Sequence, residues 1–323
     1  MPRPLVFALL LLAPALVNAQ GEQLLTLEPA PGQGQVRYFA SAPTGQPTAA
    51  LVAIHGHPRD ARRTFNAAMQ AVTAADAQAS TLVVAPQLQA DPRYAPKCTG
   101  TGIPDLTAQE LQWTCRSWVE GAPARNLGHL TSYAMLDALL ANLKQQWPGL
   151  QQVTIAGFSA GGQMVQHYIA YAAAPPAGVR VRYVVSSPSS WLYFDPQRPY
   201  PVAGCQYVNE WRYGTEDPPK WITRSPALAR AQYAAADIHY MVGALDQDAG
   251  PGTYYGILDK SCPALSQGPY RRQRAEAYVR YDNQVLAPGL KRTLTVVPNC
   301  AHDVTCVFTA PAGRAALLGT AQP

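Results

Sequence analysis

The residues with the clearest chemical potential form one short run, Gly157-Phe158-Ser159-Ala160-Gly161-Gly162. The run follows an apolar segment, residues 152–156, and precedes a segment with helical periodicity. Small residues on both sides of a serine allow a sharp turn between strand and helix, which exposes the hydroxyl at the edge of a sheet. The pattern predicts that Ser159 is a nucleophile. The competing interpretation is a serine that only caps the helix.

A serine hydroxyl is a weak nucleophile until a neighbouring base accepts its proton. Three histidines follow Ser159 in the chain. His167 lies in the helical segment directly after the serine, and His239 lies inside a predicted strand. His302 follows the last predicted strand and is therefore the candidate general base. The alternative is an imidazole with a purely structural role in the surface or core.

A carboxylate should hold the imidazole in the correct tautomer and stabilise its protonated form. The predicted strand 238–243 ends at the first residue of the run Gly243-Ala244-Leu245-Asp246-Gln247-Asp248. Asp246 is the candidate acid because it follows the glycine by three residues, where a turn can direct it towards His302. Asp248 is the alternative, and either residue could instead be a solvated loop carboxylate.

Backbone N–H groups near the serine could stabilise the negative oxygen of a tetrahedral intermediate. The residue after the nucleophile, Ala160, is the first candidate. The second lies in His55-Gly56-His57-Pro58, which follows another predicted strand. Because proline has no N–H, the donor expected there is the backbone of His57.

The elements that must position these residues show an alternating pattern. Most of six β-branched segments are almost continuously apolar, which is typical of strands buried on both faces of a parallel sheet. Helical segments alternate with them, and the chain therefore predicts a doubly wound, mostly parallel α/β sheet. Weaker alternation in residues 20–45 predicts antiparallel edge strands. The predicted strands are residues 50–55, 81–85, 152–158, 179–186, 238–243 and 292–297, and the predicted helices are residues 62–77, 130–146, 160–173 and 227–236.

Two long connections, residues 87–128 and 187–226, are rich in aromatic side chains. They are expected to project from the carboxyl ends of strands, where open α/β sheets bind their ligands. The aromatic residues could line a binding cleft or could fill a small core beneath the loops. The residues concerned are Trp113, Trp118, Trp191, Tyr193, Trp211 and Trp221.

Residues 1–19 have the features of a cleaved signal peptide. Arg3 precedes an apolar run from Leu5 to Val17, which is shorter than the roughly 20 residues that span a bilayer. Small residues precede the expected cleavage site after Ala19. The remaining residues, 20–323, contain no linker or repeat, which predicts a single secreted or periplasmic domain without a stable membrane anchor.

The composition excludes several classes of protein. With 48% apolar and 14% charged residues, the chain is far from the composition of disordered proteins. Loss of Arg3 with the signal peptide leaves 24 basic and 20 acidic side chains, a net charge of +4. The basic residues are scattered, so no nucleic-acid partner is expected. The one cluster, Arg271-Arg272-Gln273-Arg274, predicts a solvated helix face. No cofactor is expected.

Six cysteines remain in the predicted mature chain, an even number that indicates three disulfides in an exported protein. Closeness in sequence favours Cys98–Cys115 and Cys300–Cys306, which leaves Cys205–Cys262. If Cys300 pairs with Cys306, the short ring around His302 could hold the imidazole in place, and otherwise these cysteines pair elsewhere and only brace the fold. No Cys-x-x-Cys pair is present, so a structural metal is not expected.

The motifs together resemble the α/β-hydrolase superfamily over nearly all of residues 20–323. The resemblance rests on His55-Gly56, Gly157–Gly162, Gly243–Asp246 and His302-Asp303, which occur in the order that this fold uses. Ser159-Ala160-Gly161-Gly162 is similar to secreted polyhydroxybutyrate depolymerases and feruloyl esterases. Further motifs resemble uncharacterised secreted bacterial and fungal hydrolases: Gly161-Gly162-Gln163, Ser187-Pro188-Ser189-Ser190, Trp211-Arg212-Tyr213-Gly214 and Gln267-Gly268.

The resemblance implies an α/β-hydrolase fold, with long loops at the carboxyl edge of the sheet, and a Ser-Asp-His triad. It does not identify a substrate, because the fold hosts many reactions. Hydrolysis of a small-molecule or polymeric ester through an acyl-enzyme is the leading hypothesis. A serine peptidase or amide hydrolase on the same triad is the first alternative. A non-catalytic binding protein is the second.

Overall fold

The structure is a computed structural model, and it describes residues 21–27 and 34–319. The predicted signal peptide, residues 1–19, lies outside these ranges. Eight strands form the main sheet in the order β1-β2-β4-β3-β7-β8-β9-β10. The strands are β1 Gly21–Thr26, β2 Gln35–Ala40, β3 Ala49–Ile54, β4 Thr81–Pro86, β7 Gln152–Phe158, β8 Arg180–Ser186, β9 Asp237–Gly243 and β10 Leu294–Val297. A separate short ladder pairs β5 Gln89–Ala90 with β6 Gln112–Trp113.

The sheet is parallel from β4 to β10, and β1 and β2 add to one edge in antiparallel orientation. The predicted doubly wound, mostly parallel α/β architecture is therefore confirmed. All six predicted strands of the parallel part form, with ends within two residues of the predicted ones. Their continuous apolar character has the expected cause, since both faces of the sheet are covered by helices.

Helices cover the two faces of the sheet in two groups. Helices α2, α3, α4 and α6 pack on one face, against side chains such as Val52 and Ile54. Helices α1, α7 and α8 pack on the other face, against Leu51 and Ala53 of the same strand. The helices are α1 Ala61–Thr73, α2 Ser132–Gln146, α3 Ala160–Tyr171, α4 Pro226–Ala235, α5 Cys262–Leu265, α6 Arg271–Tyr281, α7 Val304–Thr309 and α8 Pro311–Leu318. Three further short helical segments are Ala95–Lys97, Tyr255–Ile257 and Asp282–Leu286.

The helix predicted over residues 62–77 ends at Thr73, earlier than expected. Ala74 closes the helix, and Asp76 has a φ of 51°. A residue in this left-handed region cannot continue a right-handed helix, so the chain turns towards β4 instead.

The aromatic side chains of the two long connections lie mostly in the core. Trp113, Trp118, Trp191 and Tyr193 are fully buried. Trp191 stacks on Tyr278 of α6 with ring centroids 4.4 Å apart. Of the two interpretations that the sequence left open, a core role therefore holds for these four residues, but they join the main core on one face of the sheet and not a separate small one.

The six cysteines form three disulfides in the structure, Cys98–Cys115, Cys205–Cys262 and Cys300–Cys306. The first ties the two ends of a loop that follows β4 and precedes α2. The third connects the residues on either side of His302. Within residues 21–27 and 34–319, no helix is long and apolar enough to cross a membrane.

Candidate active site

The turn between β7 and α3 presents Ser159 in a strained backbone conformation, with φ 59° and ψ −119°. Its N–H donates to the Ser186 carbonyl oxygen of the neighbouring strand at 2.9 Å. Gly161 lets α3 approach the sheet closely, because a Cβ at this position would overlap the Ile54 carbonyl oxygen. The strand-turn-helix predicted from the sequence is therefore present, and strain of this kind is typical of functional residues.

His302 lies in the connection between β10 and α7, and its ring Nε2 is 2.8 Å from Ser159 Oγ. The Phe158 ring packs on the imidazole with centroids 4.7 Å apart, and Tyr254 approaches at 6.2 Å. The backbone N–H of His302 donates to the Gly252 carbonyl oxygen at 3.0 Å. The ring is thus held from several sides within hydrogen-bond reach of the serine.

The second ring nitrogen of His302, Nδ1, lies 2.8 Å from Asp246 Oδ2. Asp246 is buried in the turn after β9, where its N–H donates to the Gly243 carbonyl oxygen at 3.1 Å. Asp248 is exposed and instead accepts from the Gly250 N–H. Of the two carboxylates considered from the sequence, the structure brings Asp246 to His302 and not Asp248.

Arg271, at the start of α6, is a charged contact of Asp246 that the sequence interpretation missed. Its Nη1 donates to Asp246 Oδ1 at 3.3 Å and to the Thr253 carbonyl oxygen at 2.6 Å. Arg271 and Arg274 are buried, so the solvated helix face predicted for this cluster is wrong. The residues Arg271, Arg274, Ala275 and Tyr278 share one face at spacings of three and four, and this pattern could have indicated burial.

The pKa of His302 lies below its usual value of 6.5. Burial is the main cause, because it disfavours the charged imidazolium, and the positive charge of Arg271 acts in the same direction. The hydrogen bond with Asp246 raises the pKa but does not compensate. His302 is therefore neutral at pH 7, the state in which a nitrogen can accept a proton.

His57 and Ala160 both line the cleft beside Ser159. The backbone N–H of His57 makes no hydrogen bond within the described part of the chain. It is therefore free to bind an oxygen of a ligand. Burial, followed by the charge of Arg116, lowers the pKa of the His57 side chain. The two residues predicted from the sequence to supply amide donors thus line the same cleft as Ser159.

The cleft has a volume of about 680 Å³ and lies at the carboxyl edge of the sheet. Its lining includes five cationic side chains and one carboxylate: Lys97, Arg116, Arg212, Lys260, Arg271 and Asp259. A smaller space of about 90 Å³ lies on the His302 side of Ser159. Most of its wall is apolar and includes Phe158, Tyr254, Ile257 and Val304, and the charged residues Asp60 and Arg63 also line it. Two spaces of different character therefore meet at the serine.

The other buried histidines have structural partners. His55 Nε2 accepts from the Leu88 N–H at 3.1 Å, and burial lowers its pKa to about 4. His167 bridges the Gln163 and Arg212 carbonyl oxygens. No group of three or more His, Cys, Asp or Glu side chains that could hold a metal occurs in residues 21–27 and 34–319.

No protein-family model matches the chain, and no curated protein matches it in sequence. Solved structures do. The poly(3-hydroxybutyrate) depolymerase from Bordetella parapertussis is 20% identical, with a TM-score of 0.64 over 94% of this chain and 92% of that one. The poly(aspartic acid) hydrolase-1 from Sphingomonas sp. KT-1 is 18% identical, with a TM-score of 0.60 over 88% of this chain and 95% of that one. With its parallel sheet, strained serine turn and strand order, the chain has the α/β-hydrolase fold.

Proposed function

We propose that the protein is a serine hydrolase that cleaves carboxylic esters through an acyl-enzyme. One observation carries this proposal: the continuous hydrogen-bonded chain from Ser159 Oγ through His302 to Asp246. A carboxylate can only accept and a hydroxyl can donate, so the neutral ring donates from Nδ1 and accepts at Nε2. This is the arrangement that activates a serine for attack on a carbonyl carbon.

In the first half of the reaction, Ser159 Oγ attacks the ester carbonyl carbon while its proton passes to His302 Nε2. The carbonyl oxygen becomes negative and accepts hydrogen bonds from the N–H groups of His57 and Ala160. Each such donor is typically worth about 3–4 kcal/mol in the transition state. The tetrahedral intermediate then collapses, the bond to the leaving oxygen breaks, and His302 gives its proton to that oxygen. The products are an alcohol and acyl-Ser159.

In the second half, a water molecule takes the place of the alcohol. It transfers a proton to His302 Nε2 as its oxygen attacks the acyl carbon. Collapse of the second tetrahedral intermediate breaks the bond to Ser159 Oγ, which recovers the proton from His302. The carboxylic acid leaves and the free serine is restored. Asp246 stays ionised throughout and stabilises the imidazolium that forms twice in each cycle.

A second candidate is amide hydrolysis by the same residues. One specific observation favours it, since a structurally similar protein is a poly(aspartic acid) hydrolase. An amide demands more of His302, because the leaving nitrogen is expelled only once it has been protonated. Parallel assays with p-nitrophenyl esters and peptide anilides separate the two activities. If the anilides are turned over faster than the esters, amide hydrolysis becomes the main function in place of ester hydrolysis. If neither substrate is cleaved, a non-catalytic binding protein is favoured.

Labelling with a fluorophosphonate probe tests the nucleophile. We expect wild type to form a stable adduct at Ser159 and Ser159→Ala to remain unlabelled. The substitution should also lower kcat for a p-nitrophenyl ester by about 10⁴- to 10⁶-fold, as in other triads. Equal labelling of the two proteins would contradict the assignment.

We also propose that the protein works outside the cytoplasm, in the periplasm or after secretion. The support is the set of three disulfides, which persist in oxidising compartments. Expression of the full chain should give a product that begins near Gln20 and contains no free thiol. Amino-terminal sequencing and peptide mapping without reduction measure both. A product that stays in the cytoplasm and keeps its uncleaved amino terminus would contradict this proposal.

A further inference from the structure

The charge of the large cleft is unbalanced. Arg212 is compensated by Glu120 and Asp259, each 2.8 Å away, and Arg271 is compensated by Asp246. Asp259 itself stays ionised: burial alone would raise its pKa, but hydrogen bonds from Tyr213 and Ser261 and the charge of Arg212 bring the pKa to about 2. The one carboxylate of the lining is therefore already paired.

The other three cations of the lining, Lys97, Arg116 and Lys260, form what we call the cationic rim. Their side chains are exposed, and none makes an ion pair with a carboxylate of the described residues. Lys260 Nζ lies 4.8 Å from the Tyr255 ring centroid, which keeps the ammonium group beside the cleft. The rim thus adds three uncompensated positive charges to the space beside Ser159.

The disulfide of the first long connection positions two of these charges. Lys97 precedes Cys98 and Arg116 follows Cys115, and the two half-cystines have Cα atoms 5.6 Å apart. Residues 19 positions apart in the sequence are therefore held on the same side of the cleft. Cys115 itself lines the cleft, so this crosslink is part of the wall beside the serine.

The position of His302 indicates which part of an ester would meet the cationic rim. The leaving oxygen must receive its proton from His302 Nε2, and His302 lines the small space rather than the large cleft. The residues whose amides would hold the carbonyl oxygen, His57 and Ala160, line the large cleft. The alcohol part would therefore leave on the side of the small apolar space, and the acyl chain would extend into the large cleft.

We propose that the preferred substrates carry a negatively charged group, such as a carboxylate, on the acyl part, which the cationic rim attracts and orients. This inference rests on the proposed ester hydrolysis. A cleft lined by one sign of charge raises the local concentration of opposite charge and accelerates association by about 10- to 1000-fold. Three uncompensated cations and no free carboxylate in the lining are suited to an anion.

The test compares two matched pairs of esters. In the first pair, mono-p-nitrophenyl adipate carries a carboxylate at the end of its acyl chain, and methyl p-nitrophenyl adipate is its neutral counterpart. In the second pair, p-carboxyphenyl butyrate carries the carboxylate on the alcohol part, and its methyl ester is neutral. For wild type we expect kcat/KM to favour the charged member of the first pair by about 10-fold or more, and not that of the second.

Single substitutions measure the contribution of each charge. Three single substitutions, Lys97→Ala, Arg116→Ala and Lys260→Ala, should each lower the charged-to-neutral ratio of kcat/KM in the first pair by about three-fold. Each variant loses one of the charges that together attract the anionic substrate. Arg180→Ala is the matched control, since Arg180 is an exposed cation at the opposite, amino end of β8. It should leave the ratio unchanged. The preference should also disappear between about 0.01 M and about 1 M salt, where the Debye length falls from about 30 to about 3 Å.

The outcomes separate the two proposals. Turnover of both members of the first pair at equal rates would overturn the anionic preference while ester hydrolysis stands. A preference for the charged member of the second pair would overturn the orientation and therefore this inference. If no ester of either pair is cleaved, the proposed function itself fails. A ratio that is lowered equally by Arg180→Ala would show a global charge effect and would also overturn the role of the rim.

Discussion

Arg271 places a buried positive charge beside the carboxylate that contacts His302. The guanidinium does two things at once, because it holds Asp246 Oδ1 and also disfavours protonation of the imidazole. A base with a lowered pKa stays neutral, and thus functional, to lower pH. Arg271 is therefore a positioning residue in the proposed mechanism, with an effect that a pH profile can measure.

Arg271→Gln should raise the pKa of His302, because the substitution removes a positive charge that opposes protonation. At low pH, His302 is protonated and inactive, which produces the acid limb of the kcat/KM profile. This limb should therefore move to higher pH in the variant. Arg271→Lys keeps the charge and should keep the limb near its wild-type position. An acid limb that stays in place in Arg271→Gln, together with lower activity at all pH values, would mean that Arg271 acts through structure alone.

Asp246→Asn should lower kcat by about 10⁴-fold, as the loss of the orienting carboxylate does in related triads. The asparagine is neutral and cannot stabilise the imidazolium as a carboxylate does, and its NH2 group can donate to Nδ1, which favours the wrong tautomer of the ring. Asp248→Asn is the matched control, since Asp248 lies two residues away and is exposed. Steady-state kinetics with a p-nitrophenyl ester measure both. Activity lost in Asp248→Asn and kept in Asp246→Asn would reverse the assignment.

At the scale of elements, the crosslinks hold the long connections that the sheet itself does not order. Cys98–Cys115 closes the loop that is flanked by two residues of the cationic rim, Lys97 and Arg116. Cys205–Cys262 connects the second long connection to α5. Cys300–Cys306 closes a short ring that contains His302, the residue that contacts Ser159. The three rings differ in size, with sequence separations of 17, 57 and 6.

Replacing each disulfide by two serines should destabilise the protein in the order of ring size. Chain entropy of the unfolded state gives about 4 kcal/mol for Cys205–Cys262, about 3 for Cys98–Cys115 and about 2 for Cys300–Cys306. Urea unfolding of the three double variants measures the order. The reverse order would show that local contacts in the folded state, rather than ring size, decide the contribution of each crosslink.

At the scale of the whole molecule, one buried ion pair connects elements that are distant in sequence. Arg292, just before β10, donates to both oxygens of Asp282, at 2.7 and 3.0 Å. It also donates to carbonyl oxygens at the end of α4, including that of Ala236 at 2.7 Å. Tyr240 of β9 donates to the same carboxylate at 2.6 Å. The pair therefore holds α4, β9, β10 and the turn after α6 together.

Arg292→Met should lower the free energy of unfolding by about 3–5 kcal/mol, because it leaves the buried charge of Asp282 without its cationic partner. Arg230→Met is the matched control. Arg230 forms a half-exposed pair with Asp195 at 3.6 Å, and such pairs contribute about 1 kcal/mol or less. Denaturant unfolding compares the two. Similar losses in both variants would show that the buried pair has no special role in stability.

Local patterns in the sequence were sufficient to predict the strands, the serine turn and the positions of Ser159 and His302, and they favoured Asp246 over Asp248 as the acid. Strands buried on both faces need continuous apolar residues, and a sharp turn into a helix needs small ones. Both requirements act over a few neighbouring positions, so they can be read directly from the chain. The confirmed fold class follows from the same short-range pattern repeated along the sequence.

The tertiary structure alone decided which of two carboxylates meets the imidazole and which charges surround the cleft. Asp246 and Asp248 are equivalent by type and differ only in where the turn points them. The burial of Arg271, the burial of the loop aromatic residues in the main core and the cationic rim all depend on contacts between distant residues. Ser159 and His302 are 143 positions apart, and Arg271 and Asp246 are 25 apart. Only the packing of the whole chain brings such residues together, because no local preference acts over that distance.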